Sequence, residues 1–248
     1  MFAGSLFAIQ AAHAETQQAD LKGTTVVLVH GAFADGSSWD KVIPMLEARG
    51  LHVVAVQNPL SSLADDAAAA KRAIDAQSGP VVLVGHSWGG SVITEAGNDD
   101  KVKALVYVAA FAPDSGQSIN DMLKGAPAPV WAPELRKDSG NFLTLSEKGI
   151  AEDFAQDLTP AQQRIVYATQ GPWAAGAIDE KVTDAAWHHK PSYFVVTDKD
   201  RMIPPAAQNA MAANIKATVS HANSSHVAMI SQPKVVADAI IAAARSAQ

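Results

Sequence analysis

Short apolar, often β-branched runs alternate along this chain with segments whose apolar positions recur at helical spacing. Thr24–Val29, His52–Val56, Val81–Val84, Lys103–Ala110 and Ser192–Thr197 read as strands, and Ala217–Ser220 as a shorter one. The runs at 24–29, 81–84 and 103–110 are unbroken, which predicts strands buried on both faces. Between them lie helical patterns. Trp39, Val42, Ile43 and Leu46 share one face, with Gly50 as the stop and Pro44 placed to kink or restart the helix. Ser62 and Asp65 open an alanine-rich helix reaching about Gln77, ended by Gly79-Pro80. A further helix follows from Ser91, another runs from Pro204-Pro205 through Ile215, and Val235, Val236, Ala239 and Ile240 mark the last.

Strands that alternate with helices predict an α/β fold with a mostly parallel, doubly wound sheet. Such sheets carry their sites at the carboxyl ends of the strands. The pattern breaks between residues 112 and 187. Six prolines (113, 127, 129, 133, 160 and 172) and Trp131, Trp173 and Trp187 fall there. Strand-like runs are missing, while Leu145–Ala155 and Pro160–Thr169 look helical. Because the α/β pattern resumes at once, residues 112–187 read as a cap over the site, and 24–111 with 188–248 as the core.

One strand ends in candidate chemistry. Val81–Val84 runs into Gly85-His86-Ser87-Trp88-Gly89, a Gly-x-Ser-x-Gly turn followed by a helix. A sharp strand-to-helix turn strains the serine and crowds the residues two positions on either side, so glycine is needed there. Serine is a poor nucleophile until a base takes its proton, and the base needs an orienting acid. His226 is the expected base, because it lies between the last short strand and the last helix; His221 is the local rival. Asp200 is the expected acid, just past the 192–197 strand, with Asp198 and Asp114 as alternatives. The oxyanion donors expected are the backbone N–H groups of Trp88 and of Ala32, with Phe33 second to Ala32. His30 reads as a structural tie in that loop and His86 as structural. Adjacent His188 and His189 face apart and read as surface. Phe33, Phe111, Met122, Trp131, Phe142 and Trp173, with Trp88, are the candidate pocket residues.

Composition narrows the classes. With 48% hydrophobic residues in 248, the chain can build one large core. A net charge of −6 with no basic block leaves no electrostatic footprint for nucleic acid. The absence of cysteine removes disulfides, thiolate nucleophiles and cysteine metal sites, and nothing in the site calls for a cofactor or metal. Residues 1–14 are short, apolar and end Ala12-His13-Ala14, an export-signal pattern without a basic start; residues 15–23 read as a tail. That pattern favours a periplasmic or secreted protein, the alternative being a cytoplasmic one. No segment is long and apolar enough to span a bilayer.

Taken in order, His30-Gly-Ala-Phe-Ala-Asp-Gly-Ser-Ser-Trp39, Gly85–Gly90, Phe111-Ala-Pro-Asp114, Asp200-Arg-Met-Ile-Pro-Pro205 and Ser225-His226 resemble the α/β-hydrolase superfamily. They are most similar to its small bacterial esterases related to plant methyl-salicylate and methyl-jasmonate esterases and hydroxynitrile lyases. The resemblance covers residues 24–245 and implies hydrolysis of small or medium apolar esters. It also supports Asp200 as acid and Ala32 as oxyanion donor. Where the lyases carry threonine and lysine, this chain has Gly31 and Val227, which favours ester hydrolysis over cyanohydrin cleavage. A ligand-binding sensor and a cofactor-free oxygenase or perhydrolase are the other activities this scaffold can carry.

Overall fold

The β-branched runs do form strands. A computed structural model describes residues 21–247; the export-signal reading of residues 1–14 and most of the tail lie outside them. The strands are β1 (Thr25–Val29), β2 (His52–Val56), β3 (Val81–His86), β4 (Val102–Val108), β5 (Leu135–Lys137), β6 (Phe142–Leu145), β7 (Trp173–Ala174), β8 (Ser192–Thr197) and β9 (Thr218–Ala222). Six of them make one sheet in the order β2-β1-β3-β4-β8-β9, with every pairing parallel. All residues of β1 and β3 are buried, as their unbroken apolar character requires, whereas β2 and β9 lie at the edges and are partly exposed.

The helices are α1 (Ile43–Glu47), α2 (Leu63–Asp75), α3 (Gly89–Ala96), α4 (Ile119–Leu123), α5 (Pro160–Thr169), α6 (Pro205–Asn214), α7 (Ala228–Ser231) and α8 (Pro233–Ser246). Helix α2 buries Leu63, Ala67, Ala70 and Ile74, one stripe at helical spacing, and Ser62 caps it by accepting the Asp65 N–H at 2.9 Å. It packs on α3, and both pack on β1. Helix α8 buries Val236, Ala239, Ile240 and Ala243 against β3, β4, β8 and β9, and also meets α1.

Three expectations change. Trp39 and Val42 do not belong to an α-helix: Gly36–Trp39 is a 3-10 turn, and α1 starts at Ile43 with Pro44 in its first turn. Proline lacks the N–H that a first turn leaves unused, so it starts this helix instead of kinking it. The inserted segment is also not free of strands. Antiparallel β5, β6 and β7 form a small second sheet, pairing Leu135 with Leu145 and Leu143 with Trp173. Strands of two to four residues are too short to show a period in the sequence. The stretch expected as one helix from Leu145 to Ala155 is instead the end of β6, a turn at Glu147–Gly149, and a π-helical turn at Ile150–Phe154.

The sheet positions the site by its order. From β1 the chain steps outward to β2 and then crosses back over β1 to β3, so the winding reverses between β1 and β3 and a crevice opens at their carboxyl ends. The turn after β3 is very close-packed. A Cβ on Gly85 would lie 2.3 Å from the Gly89 carbonyl oxygen. We expect Gly85→Ala to lower stability by about 1–3 kcal/mol in urea unfolding, the range for overpacking a tight site. Gly176, which has open space around its Cβ position, provides the control: Gly176→Ala should stay within about 0.5 kcal/mol of the parent. Equal effects would show that the turn tolerates a side chain.

Candidate active site

Ser87 follows β3 and has φ +54°, the left-handed region that a non-glycine residue enters only under constraint. The constraint is visible. Ser87 N–H donates to the Val108 carbonyl at 3.2 Å, and its own carbonyl accepts from Gly90 and Phe111. Gly31 passes so near that a Cβ there would stand 2.7 Å from the Ser87 Cβ. The hydroxyl therefore stands at the crevice, at the N-terminal end of α3, whose dipole favours negative charge.

Asp200 and His226 come from two loops at the same sheet edge. His226 Nδ1 donates to Asp200 Oδ2 at 2.7 Å, with both side chains buried. The same oxygen accepts from the Thr197 hydroxyl at 2.7 Å and from Gln208 Nε2 at 2.9 Å, while Oδ1 accepts the N–H groups of Met202 and Ile203. A buried carboxylate so fully supplied with donors is fixed in place and holds the imidazole in one orientation, leaving Nε2 free. Ser87 and His226 line one chamber.

The rival residues form pairs of their own. Asp198 meets His221 at 2.8 Å, and Asp114 meets His188 at 2.7 Å, both on the surface. Of the three Asp–His pairs, only Asp200–His226 is buried beside Ser87. His30 is a structural tie: its Nδ1 donates to the Gly31 carbonyl, its Nε2 accepts the Asn58 N–H, and burial lowers its pKa. His86 has a more specific place. Its Nε2 donates to the His226 backbone carbonyl at 3.0 Å, with ring centroids 4.7 Å apart. Complete burial, then the neighbouring His226, hold its pKa well below the usual imidazole range, so it stays a neutral support for the His226 loop.

The chamber has a volume of about 40 Å³. Ala32, Phe33, Ser87, Trp88, Phe111, Trp131, Trp173 and His226 line it, together with Ile119, Leu123, Phe154, Ile178, Met202 and Ile203. Among the described residues, neither the Ala32 nor the Trp88 backbone N–H is donated to a protein acceptor. Met122 and Phe142 are not in the lining: Leu123 takes the place beside Met122, and Phe142 pairs in the small sheet with Ala174. Phe154 had no local signal, since it lies in a π turn whose facing no helical period predicts. Gln208 had one. It shares a stripe with Met211, Ala212 and Ile215, so it is a polar residue on an apolar helix face.

The π turn also clamps the two loops. Asp153 pairs with Arg201 at 3.0 Å, Gln156 donates to the Lys199 carbonyl, and Asp157 accepts the Ser225 N–H at 2.9 Å. Phe154 lies with its ring 5.2 Å from that of His226. The Asp200 loop and the His226 loop are therefore both gripped by one short segment of the insertion.

Residues 26–239 match the alpha/beta hydrolase family. The chain belongs to that family. Salicylic acid-binding protein 2 of Nicotiana tabacum is 27% identical over 86% of this chain and 94% of its own length. A pyrethroid hydrolase of Sphingobium wenxiniae is 25% identical over 88% and 86%. The crystal structure of polyneuridine aldehyde esterase shares the fold, with a TM-score of 0.77 at 20% identity over 89% of this chain and 99% of that one. The mostly parallel sheet expected from the alternation of strands and helices, and the hydrolase fold implied by the resemblance, are thus the observed ones. Among the described residues no helix is long and apolar enough to cross a membrane.

Behind the chamber wall, Asp66 on α2 accepts the Trp88 indole N–H at 2.7 Å and the Leu60 N–H at 2.8 Å. It is fully buried, and that burial raises its pKa from 3.8 to about 6. A raised acid binds its proton more tightly in the folded state. Its contribution to stability is complete below about pH 4 and is lost as the pH rises through about 6. In urea unfolding from pH 4 to pH 7, the parent should lose about 2 kcal/mol relative to Asp66→Asn. A difference that does not vary with pH would refute the raised pKa.

Proposed function

We propose that this alpha/beta hydrolase is a serine esterase that cleaves small or medium apolar carboxylic esters through an acyl-enzyme. The observation that carries the reading is the buried Asp200–His226 pair opening, with Ser87, onto one apolar chamber. In this reading His226 Nε2 takes the Ser87 proton as the Ser87 oxygen adds to the ester carbonyl. Asp200 orients the ring and stabilises its charged form. The free Ala32 and Trp88 N–H groups receive the oxyanion, an interaction typically contributing about 3 kcal/mol to the transition state. His226 then protonates the leaving alkoxide, and water cleaves the acyl-enzyme by the same steps in reverse order.

The esterase and hydrolase names of the relatives support this chemistry. The apolar lining supports the substrate class, because a charged acyl group would lose its hydration against Trp88, Phe111 and Trp131 without a partner. Val227 is buried beside His226, so the chain offers no cation there to hold a leaving cyanide.

Measured on p-nitrophenyl and methyl esters, Ser87→Ala should lower kcat by about 10⁶ and Asp200→Asn by about 10⁴. Retention of near-parent rates by Ser87→Ala would remove the serine mechanism. Near-parent rates in Asp200→Asn, with a loss in Asp198→Asn or Asp114→Asn, would move the acid elsewhere.

A further inference from the structure

The buried stripe of α2 runs Leu63, Asp66, Ala67, Ala70 and Ile74, so Asp66 is a carboxyl on an otherwise apolar helix face. Burying an acid there is costly unless its oxygens are used. Both are. Oδ2 accepts the Trp88 indole N–H at 2.7 Å, and Oδ1 accepts the Leu60 N–H at 2.8 Å. The charged groups acting on Asp66 are two more acids, Asp65 beside it on α2 and Glu180 of the insertion. Neither can pair with it, and no step of the proposed ester cleavage uses it.

The two bonds lead to neighbouring panels of the chamber wall. Trp88 and Trp173 both line the chamber, with ring centroids 5.3 Å apart. Trp88 is tied to Asp66 directly. Leu60 is held at φ +57°, and its carbonyl accepts the N–H of Ala174, the residue after Trp173, at 2.8 Å. Among the described residues the Trp173 indole N–H has no acceptor, so the place of that ring depends on this backbone tie and on its ring contacts with Trp88 and Phe33. Phe33 in turn meets Phe154, whose ring lies against that of His226. One carboxyl thus anchors a row of rings that runs round the chamber from the serine turn to the proposed base.

We propose that Asp66 is a positioning residue for specificity: it draws the Trp88 indole back from the chamber and, through Leu60, fixes Trp173 beside it, and the place of these two rings sets how long an ester arm the enzyme accepts. The assignment rests on the serine-esterase reading. Hydrogen bonds to a carboxylate are the stronger kind, and a buried N–H deprived of its acceptor is costly. The chamber is the open side of the Trp88 ring, so without Asp66 the indole leans inward and shortens the arm that fits.

The test compares the parent with Asp66→Asn and Asp66→Leu at pH 8, above the value of about 6 to which burial raises the Asp66 carboxyl. Two ratios of kcat/KM are read: p-nitrophenyl octanoate over p-nitrophenyl acetate for the acyl arm, and hexyl acetate over methyl acetate for the alcohol arm. Asp66→Leu, which removes both acceptors, should lower at least one ratio by about fivefold or more, and Asp66→Asn, which keeps one, by less. A role in stability alone lowers activity on long and short esters alike and leaves the ratios in place. Both ratios within about twofold of the parent in Asp66→Leu, or a rise in either, overturn the proposal. Trp88→Phe removes the donor at the other end of the bond. Adding Asp66→Leu to it should cost the ratio less than Asp66→Leu costs alone, and an equal cost overturns Trp88 as the residue through which Asp66 acts. The indole ¹H–¹⁵N resonance that disappears in Trp88→Phe should also move in Asp66→Asn, a reading that needs no turnover; an unmoved resonance overturns the tie. Failure of the serine mechanism is distinguishable, because it appears as enzyme-dependent hydrolysis of p-nitrophenyl acetate that survives Ser87→Ala, whatever the Asp66 variants do.

Discussion

The site depends on supplying one buried carboxylate with enough hydrogen-bond donors. Asp200 is buried, and a buried carboxylate left without partners is costly. Thr197, Gln208, the Met202 and Ile203 amides and His226 all donate to it instead. These groups come from the end of β8, the loop that follows, the buried face of α6 and the loop after β9. The parallel sheet brings them together, since the ends of β8 and β9 are neighbours in register, with Thr197 beside Ala222. Removing any of these donors would leave the carboxylate short of a partner, so the local structure is fixed as a unit.

Much of this was legible along the chain because the relevant residues sit where regular structure ends. A buried strand running into Gly85-His86-Ser87 announces itself, and Asp200 follows the equally apolar β8, whereas His226 follows the short, partly polar β9. The competition among three aspartates was not resolvable locally. Asp114 and Asp198 also lie just past strand ends, and what separates them from Asp200 is burial, a property of the assembled fold. The same holds for Asp153 and Asp157. In the sequence they are acids in a polar stretch, and only the docking of the insertion gives them Arg201 and the Ser225 amide as partners.

The insertion was the least readable part for a related reason. Its small sheet is made from strands of two to four residues, and its π turn follows neither period that sequence patterns can report. Its shape is set by contacts with the core: Leu60 accepts from the Ala174 amide, and Glu180 caps α2 by accepting the Leu63 N–H at 2.7 Å. A segment held by so many distant partners carries little of its conformation in its own residues.

The grip of the π turn on both loops has a consequence for how the molecule comes apart. Ion pairs and hydrogen bonds from residues 153–157 reach Lys199, Arg201 and Ser225, on either side of the Asp–His pair. Opening that turn would remove a tie from each loop at once, while β3 and Ser87 keep their own support in the middle of the sheet. Under the proposed mechanism, the serine and its proton-transfer partners would therefore be held by different parts of the fold, so activity would depend on the clamp of the insertion as well as on the sheet.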